Sequence, residues 1–362
     1  MKLLIIGPFP PPITGNSLAN KVILENLSEY FPHYKVNFIN TSYPTFKEDI
    51  GKFSLKKVFV YTKQYKEVYK IFKSDKIYIT TGQTFFGVLK YAPYILLSKF
   101  LNKELIIHIH GDYLWQEYNK LTDYKRKIFK SLISKFDKGI VLSKTLRRNL
   151  KSFLPENKIF ELPNFVEDYL FDIDIEKKLK ENFDELRIIY LSNLMKEKGI
   201  LDLLEALLIL KEKNIPFKSK IAGNIDNSLK NKIFEYLDRL KENVEYLGVV
   251  SGNKKKELLE WGNTFVFPTY YKIEGQPISI LEAYATGNIV LTTNQGGIPD
   301  IFEETKNGFY IEKKNPKSIS NTLQNISLNI ENLRYITKQN YLTAKGKYTV
   351  ENYIKNFKNI LN

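Results

Sequence analysis

Short apolar runs alternate along this chain with longer stretches in which apolar positions recur every three or four residues. Leu3, Leu4, Ile5 and Ile6 run without polar alternation, the pattern of a parallel strand covered on both faces, and predict a strand from Lys2 to Gly7. A Pro-rich loop carrying Gly15 follows, then a helix from Ser17 to about Tyr30. Further strands are predicted at Lys35 to Asn40, Lys76 to Thr80, Leu105 to His110 and Lys138 to Leu142. Residues 41–53 read as irregular. Helices are expected over Leu55 to Phe72, Phe86 to Phe100 and Tyr124 to Phe136, and from a Ser143 cap to near Pro155.

The stretch from Glu161 to Asp168, with its proline and few periodic positions, reads as a linker, and the Asp172-Ile173-Asp174 triplet after it reads as linker surface. The same alternation then restarts. Strands are predicted at Leu186 to Leu191, Phe217 to Ala222, Val244 to Leu247, Thr264 to Pro268, Ile289 to Thr293 and Gly308 to Ile311. Helices are predicted at Ile200 to Lys213, Leu229 to Lys241, Lys254 to Trp261 and Ile278 to Ala285. Two successive series of this kind predict an α/β chain of two doubly wound, Rossmann-like domains facing a cleft. A last helix, Val350 to Leu361, sets Val350, Tyr353, Ile354, Phe357, Ile360 and Leu361 on one side, and that face needs a cover.

Composition adds boundaries. The chain has 362 residues, more than one core usually organises, and no cysteine, so disulfides and thiolate chemistry are excluded and a reducing cytoplasm is expected. The opening apolar run is too short for a signal peptide, and no run reaches the length of a membrane span. The net charge of +15 is unevenly placed: residues 1–165 hold 27 basic and 13 acidic residues, residues 166–362 hold 28 and 27. The excess suggests an anionic partner for the N-terminal half, against the plainer reading of a lysine-rich solvated face. Between residues 120 and 151, eleven Lys and Arg face only Asp123 and Asp137, beside an apolar stripe of Ile128, Phe129, Leu132, Ile133 and Phe136. That stripe reads as core or as a membrane-surface face.

Candidate chemistry concentrates in Glu274-Gly275-Gln276-Pro277-Ile278-Ser279-Ile280-Leu281-Glu282. Two carboxylates flank a turn that opens a helix at a strand's carboxyl end, where α/β sheets place ligands. Spacing alone reads equally as a capped helix start with two solvated acids. His108 and His110 share one face of their strand; the pair alone reads as structural histidines or as part of a metal site, with no third ligand evident nearby.

Gly15, His110-Gly111, Ser192-Asn193-Leu194-Met195-Lys196-Glu197-Lys198-Gly199, the Glu274 and Glu282 pair with seven residues between, and Gly296-Gly297-Ile298-Pro299-Asp300 fall in one order. Together they resemble retaining glycosyltransferases of the GT-B fold, in particular glycosyltransferase family 4 (glycosyl transferases group 1), which uses nucleotide-sugar donors. The resemblance implies an N-terminal acceptor-side domain over 1–164, joined by a C-terminal helix at about 348–362 that crosses back to it. It implies a donor-binding domain over 165–347.

It further implies that Lys198 neutralises the donor diphosphate, that Glu274 bonds hydroxyls of the transferred sugar and Glu282 those of the ribose, and that His110 bonds the sugar or the reacting region. Gly15 and the backbone around Ile280 and Leu281 would offer N–H groups to phosphate, and residues near Val249 and Val250 would flank the base. Asn193 stands where the family usually has Arg, and Asn offers no bidentate cationic fork. No cofactor or metal is expected beyond the donor, with a UDP-sugar favoured over a GDP-sugar. The acceptor would be a glycan or a polyprenyl-diphosphate-linked glycan in bacterial-type surface polysaccharide synthesis, with an anionic membrane surface as partner of the basic half. The location would be cytoplasmic, peripheral on the inner face of the cell membrane. A GT-B nucleotide-sugar epimerase and a non-catalytic GT-B partner subunit are the alternatives. Nucleic acid is not expected, since no binding motif for it occurs.

Overall fold

The computed structural model of the protein describes residues 1–42, 65–180 and 185–362. Residues 43–53 of the expected irregular stretch and residues 55–64 of the helix expected from Leu55 lie outside the described residues; the described end of that helix, Tyr65–Lys73, is a 3-10 segment. The chain divides into two compact units, Met1–Asn164 with Glu351–Asn362, and Phe165–Val350.

The first unit contains a six-stranded parallel sheet of β1 (Lys2–Gly7), β2 (Lys35–Asn40), β3 (Lys76–Thr80), β4 (Glu104–Ile109), β5 (Lys138–Val141) and β6 (Ile159–Glu161) in the order β2-β1-β3-β4-β5-β6. Its helices are α1 (Gly15–Tyr30), α2 (Phe85–Leu89), α3 (Ala92–Phe100), α4 (Leu114–Lys120) and α5 (Asp123–Ile133). The continuous apolar runs read from the sequence are buried: Leu4, Ile6, Ile79, Ile107 and Ile109 join Phe129 and Ile133 of α5 in one core.

Two helices differ from expectation. The single helix expected from Phe86 to Phe100 is two, because Pro93 lacks an N–H and fits only in the first turn of α3. The helix expected from Ser143 is a short 3-10 segment, Thr145–Asn149. Asn149 turns its side-chain amide inward to the Leu146 and Gly111 carbonyls, and Ser143 Oγ caps nothing. In contrast, α1 starts earlier than expected, since Thr14 and Ser17 form a capping box.

The second unit holds β7 (Leu186–Leu191), β8 (Phe217–Ala222), β9 (Val244–Tyr246), β10 (Thr264–Phe267), β11 (Ile289–Thr292) and β12 (Gly308–Tyr310) in the parallel order β12-β11-β10-β7-β8-β9. Between and after the strands come α6 (Ile175–Lys180), α7 (Ile200–Glu212), α8 (Lys230–Arg239), α9 (Asn253–Trp261), α10 (Ile278–Ala285), α11 (Pro316–Asn329) and α12 (Arg334–Lys347). Side-chain alternation sorts the strands onto two covered faces. Leu186, Ile188 and Tyr190 pack with α7 and α11, while Ile189, Phe265 and Phe267 pack with α9 and α10. Asp172 and Asp174 lie at the surface, Asp172 against Lys256 and Asp174 accepting the Lys177 N–H at the start of α6.

The last helix, α13 (Val350–Leu361), is covered within the first unit along Glu351–Asn362. Phe357 meets Tyr78 of β3 edge-on at 5.2 Å. The carbonyls at its C-terminal end receive lysines: Lys138 Nζ donates to the Ile360 carbonyl at 2.8 Å and Lys76 Nζ to that of Leu361, as the negative end of a helix favours. We expect Phe357→Ala to cost the first unit about 3–5 kcal/mol, the usual loss for a buried aromatic, seen as a lower urea midpoint. A midpoint unchanged from wild type would mean that α13 is not needed for that core.

Candidate functional site

In the second sheet the chain reverses direction of growth between β7 and β10, which lie side by side. Such a switch point leaves a crevice outside the strands' carboxyl ends. The loop after β7, Ser192 to Gly199, and the segment after β10, Pro268 to Pro277, meet there.

Glu274 and Glu282 are buried, 6% and 5% exposed, so the solvated-acid reading fails. Lys198 Nζ donates to Glu274 Oε2 at 2.6 Å, and Thr269 Oγ1 donates to the same oxygen at 3.0 Å. The Lys198 ammonium also sits 4.9 Å from the centre of the Tyr271 ring and 5.2 Å from that of Phe267. Burial first, and then the Glu274 carboxylate, push the Tyr271 phenol up to about 12. A cation, a carboxylate and a neutral phenol are thus grouped at the end of β10.

Two glycines make this approach possible. Gly199 has φ of 77°, and a Cβ there would lie 2.3 Å from the Pro268 carbonyl oxygen. Gly296 has φ of 57°, and its Cβ would lie 2.1 Å from the Glu274 carbonyl oxygen. The loops carrying Lys198 and Gly296 therefore press directly on the backbone of the glutamate segment. Hydrogen bonds complete the clasp: Tyr270 N–H to Glu197 O at 2.8 Å, Gly297 N–H to Gly275 O at 2.8 Å, and Gln295 Nε2 to Tyr271 O at 3.1 Å.

Between the two acids, α10 begins after Pro277. Ile280 and Leu281, expected to offer backbone N–H groups, are fully buried, and the Ile280 N–H already donates to Pro277 O at 3.3 Å. Leu281 stands at the fourth helical position, where an N–H returns to the helix's own carbonyls. The first-turn amides of half-buried Ile278 and Ser279 are the ones placed for an anion. At the far end of the segment, Glu282 Oε1 accepts from Lys255 Nζ at 2.6 Å, and Lys255 also donates to Glu167 Oε2 at 3.0 Å. Burial would lower the Lys255 ammonium, but the Glu282 and Glu167 carboxylates outweigh it and hold it well above its ordinary value.

Asn193 is exposed; its carbonyl accepts from Tyr190 Oη at 3.1 Å and Met195 N–H at 2.9 Å. Val250 is half-buried against the α10 side of the core, while Val249 is 71% exposed, in a loop where Gly248 and Gly252 take positive φ. Sequence reasoning missed Lys255, Glu167 and Thr269. Within the helix expected from Lys254 to Trp261, nothing in the run Lys254-Lys255-Lys256 marks its middle member; only tertiary structure distinguishes it.

In the first unit, Gly15 is the exposed first residue of α1. His110 lies just past β4, its ring centre 3.9 Å from that of His108, whose Nδ1 bonds Tyr78 Oη at 2.6 Å. Both His110 nitrogens are buried without a hydrogen-bond partner. Among the described residues no group of three or more His, Asp or Glu is placed to hold a metal. The turn after His110 is secured by residues the sequence did not single out. Arg148 pairs with buried Asp112, Trp115 Nε1 donates to Asp112 Oδ1 at 3.2 Å, and Asn149 holds the Gly111 carbonyl.

Burial pushes the His110 imidazole down to about 3, and burial with the His110 neighbour drives His108 well down. Unfolded histidines take a proton near pH 6.5, so between that value and pH 3 the unfolded chain holds more protons and stability falls with pH. By pH 5 the expected loss at His110 is about 2 kcal/mol, at about 1.4 kcal/mol per pH unit. Urea midpoints between pH 7 and 5 test this. His110→Gln should flatten the dependence, and an unaltered slope would count against a buried neutral ring.

Residues 172–343 match the model described as Glycosyl transferases group 1. Among curated relatives, an uncharacterized glycosyltransferase, MJ1607 of Methanocaldococcus jannaschii, is 28% identical over 61% of this chain and 58% of its own. The capsular polysaccharide biosynthesis glycosyltransferase CapM of Staphylococcus aureus is 28% identical over 59% of this chain and 56% of its own. The N,N'-diacetylbacillosaminyl-diphospho-undecaprenol alpha-1,3-N-acetylgalactosaminyltransferase of Campylobacter jejuni is 26% identical over 61% and 55%. The matches thus span little more than half the length of these relatives. Among solved structures, Anabaena Alr3699/HepE with UDP superposes with a TM-score of 0.73 at 14% identity, covering 100% of this chain and 99% of that one. A glycosyltransferase from Rickettsia africae ESF-5 gives 0.76 at 18%, with the same coverage. The chain therefore carries a glycosyl transferases group 1 domain over residues 172–343, in an α/β architecture of the GT-B type, and its relatives are glycosyltransferases.

Proposed function

We propose that the protein is a retaining, metal-independent glycosyltransferase of family 4. In this reading it moves a hexose-type sugar from a nucleotide-diphosphate sugar, in the first instance a UDP-sugar, to a glycan or polyprenyl-diphosphate-linked acceptor of surface polysaccharide synthesis. The observation that carries this reading is the buried Lys198–Glu274 pair at the switch point of the matched domain. HepE has been solved with UDP-glucose, and the Campylobacter relative's name specifies a diphospho-undecaprenol acceptor; both support the choice of substrates.

Breaking the bond from sugar C1 to phosphate oxygen develops positive charge on the sugar and negative charge on the departing diphosphate. Lys198 and the Ile278 and Ser279 amides supply positive charge for that anion, a form of electrostatic preorganisation that needs no metal. Glu274 accepts from sugar hydroxyls through the oxygen not held by Thr269 and Lys198. The acceptor oxygen bonds to C1 on the face the phosphate leaves, and the acceptor proton passes to the released phosphate. Glu282 takes the ribose diol, exposed Val249 and its neighbour Val250 flank the base, and His110 serves as a neutral hydrogen-bonding group of the acceptor-side unit, with Gly15 offering backbone N–H to phosphate.

With a UDP-sugar donor and a crude lipid acceptor fraction in EDTA, Glu274→Gln and Lys198→Ala should each lose turnover by about a hundredfold or more, the scale of losing one transition-state stabiliser. Both should retain cooperative unfolding. Near wild-type rates for either variant would break the site assignment, and loss of wild-type activity in EDTA with recovery on adding a divalent ion would break metal independence.

The acceptor reading places the first unit at the inner face of the cell membrane. No helix among the described residues is long and apolar enough to cross a membrane. On α3, Phe100 is 82% exposed and Leu96 50%; on α5, Tyr124 is 76% exposed, and Lys125, Lys127 and Lys130 of the same helix are exposed. Apolar side chains within a basic surface suit an anionic interface. The protein should sediment with phosphatidylglycerol vesicles at physiological salt, and Phe100→Ser with Tyr124→Ser should weaken this severalfold. Failure of wild type to sediment would remove the membrane from the proposal.

A further inference from the structure

We propose that Lys255 is a positioning residue: by fixing Glu282 it presents the second carboxylate oxygen to a ribose diol and sets a preference for ribonucleotide over 2′-deoxyribonucleotide donors. This rests on the nucleotide-sugar reading above. Three lysines stand together in the first turn of α9, where the helix dipole disfavours cations. Lys254 is exposed and Lys256 meets Asp172, whose side chain is itself mostly in water. Lys255, its side chain 12% exposed, is the one that meets two carboxylates, donating to Glu282 Oε1 at 2.6 Å and Glu167 Oε2 at 3.0 Å, with its ammonium 5.6 Å from the Tyr169 ring centre.

Such an arrangement is poorly explained by stability. Apolar residues can replace a buried ion pair with little loss, and a helix start would favour an acid over a lysine. Its effect on Glu282 is specific. A buried carboxylate on a helix can swing about its last torsion, whose minimum is broad. A short charge-assisted bond at Oε1 stops that rotation. Oε2 is then held as an acceptor, and a vicinal diol donates to such an oxygen where a 2′-deoxyribose offers one hydroxyl fewer. The lysine also offsets a negative charge that would otherwise sit near a diphosphate.

The two ends of the glutamate segment therefore share one design. Glu274 has Lys198 and Glu282 has Lys255, each lysine delivered by a different element. Glu167, a few residues into the second unit, anchors Lys255 from the other side, so the ammonium keeps a fixed place whether or not a ligand is present.

The test measures dissociation constants of UDP and 2′-deoxy-UDP, or of GDP and 2′-deoxy-GDP if the wild type binds guanine nucleotides instead, by titration calorimetry on the full chain. Wild type should prefer the ribonucleotide about tenfold or more, the scale of a hydrogen bond to a charged acceptor. In Lys255→Met that preference should collapse towards unity, with donor KM rising more than kcat falls, while Lys256→Met keeps the wild-type preference. If Lys255→Met does not fold, Lys255→Gln, which retains a donor for Glu282 without the charge, should show an intermediate preference. An undiminished preference in the Lys255 variant, alongside wild-type binding, overturns the proposal alone. Wild type binding neither UDP nor GDP overturns the nucleotide reading and this inference with it.

Discussion

Two carboxylates are buried within one short turn and helix start, and each must be met by a cation. A buried carboxylate left alone is among the costliest features a fold can carry. Much of the second unit's local geometry follows from meeting that requirement twice. Gly199 lets the β7 loop close on Pro268 so that Lys198 reaches Glu274, and Gly296 lets the β11 loop close on the Glu274 backbone itself. The α9 start turns Lys255 inward for Glu282. Since apolar substitutes would satisfy packing as well, the acids and lysines are better understood as a charged surface kept ready for a polar ligand than as a source of stability.

The fold was largely legible because its parallel strands are covered on both faces and so appear as unbroken apolar runs, such as Leu3 to Ile6 and Ile289 to Leu291. Where the reading missed, the core-facing residues are polar or the spacing was ambiguous. In α12, Thr337 and Asn340 face inward, and Asn340 bonds the Asn288 and Asn307 carbonyls, so no apolar stripe announces the helix. In α11, Ile319, Leu323 and Ile326 do keep helical spacing, but among Ser, Asn and Thr residues that favour turns. The 3-10 segment ending at Asn149 shows the converse: a stretch expected as a helix from a Ser143 cap forms a tighter turn, with the buried Asn149 amide bonded to the Leu146 carbonyl.

The site divides in the same way. Glu274, Glu282 and Lys198 stand in ordered motifs that sequence alone can recognise. Thr269, Lys255 and Glu167 do not, because each acquires its meaning from a partner on another element, and nothing in Lys254-Lys255-Lys256 marks the middle residue. At the start of α10 the Ile280 amide is committed to the Pro277 carbonyl, while the amides of Ile278 and Ser279, one and two positions earlier, precede the helix's own hydrogen bonds.

Asn193 gives this arrangement its particular balance. A guanidinium at that position would bring a second fixed cation to the loop after β7; here the side chain is exposed and the residue serves the loop through its carbonyl, which accepts from Tyr190 and Met195. In the proposed function Lys198 then has two duties, as counter-ion to Glu274 and as the cation for a diphosphate. An ammonium has three donors and a compact charge, so one bond to Glu274 leaves two to turn elsewhere, whereas a guanidinium fork locked on a carboxylate has its geometry fixed. The pair with Glu274 preorganises the lysine, and the negative charge of that same glutamate reduces the net attraction for an anion. Under that proposal, binding depends more on the α10 amides than it would with an arginine present, which ties donor affinity to the short turn that Gly296 and Gln295 hold in place.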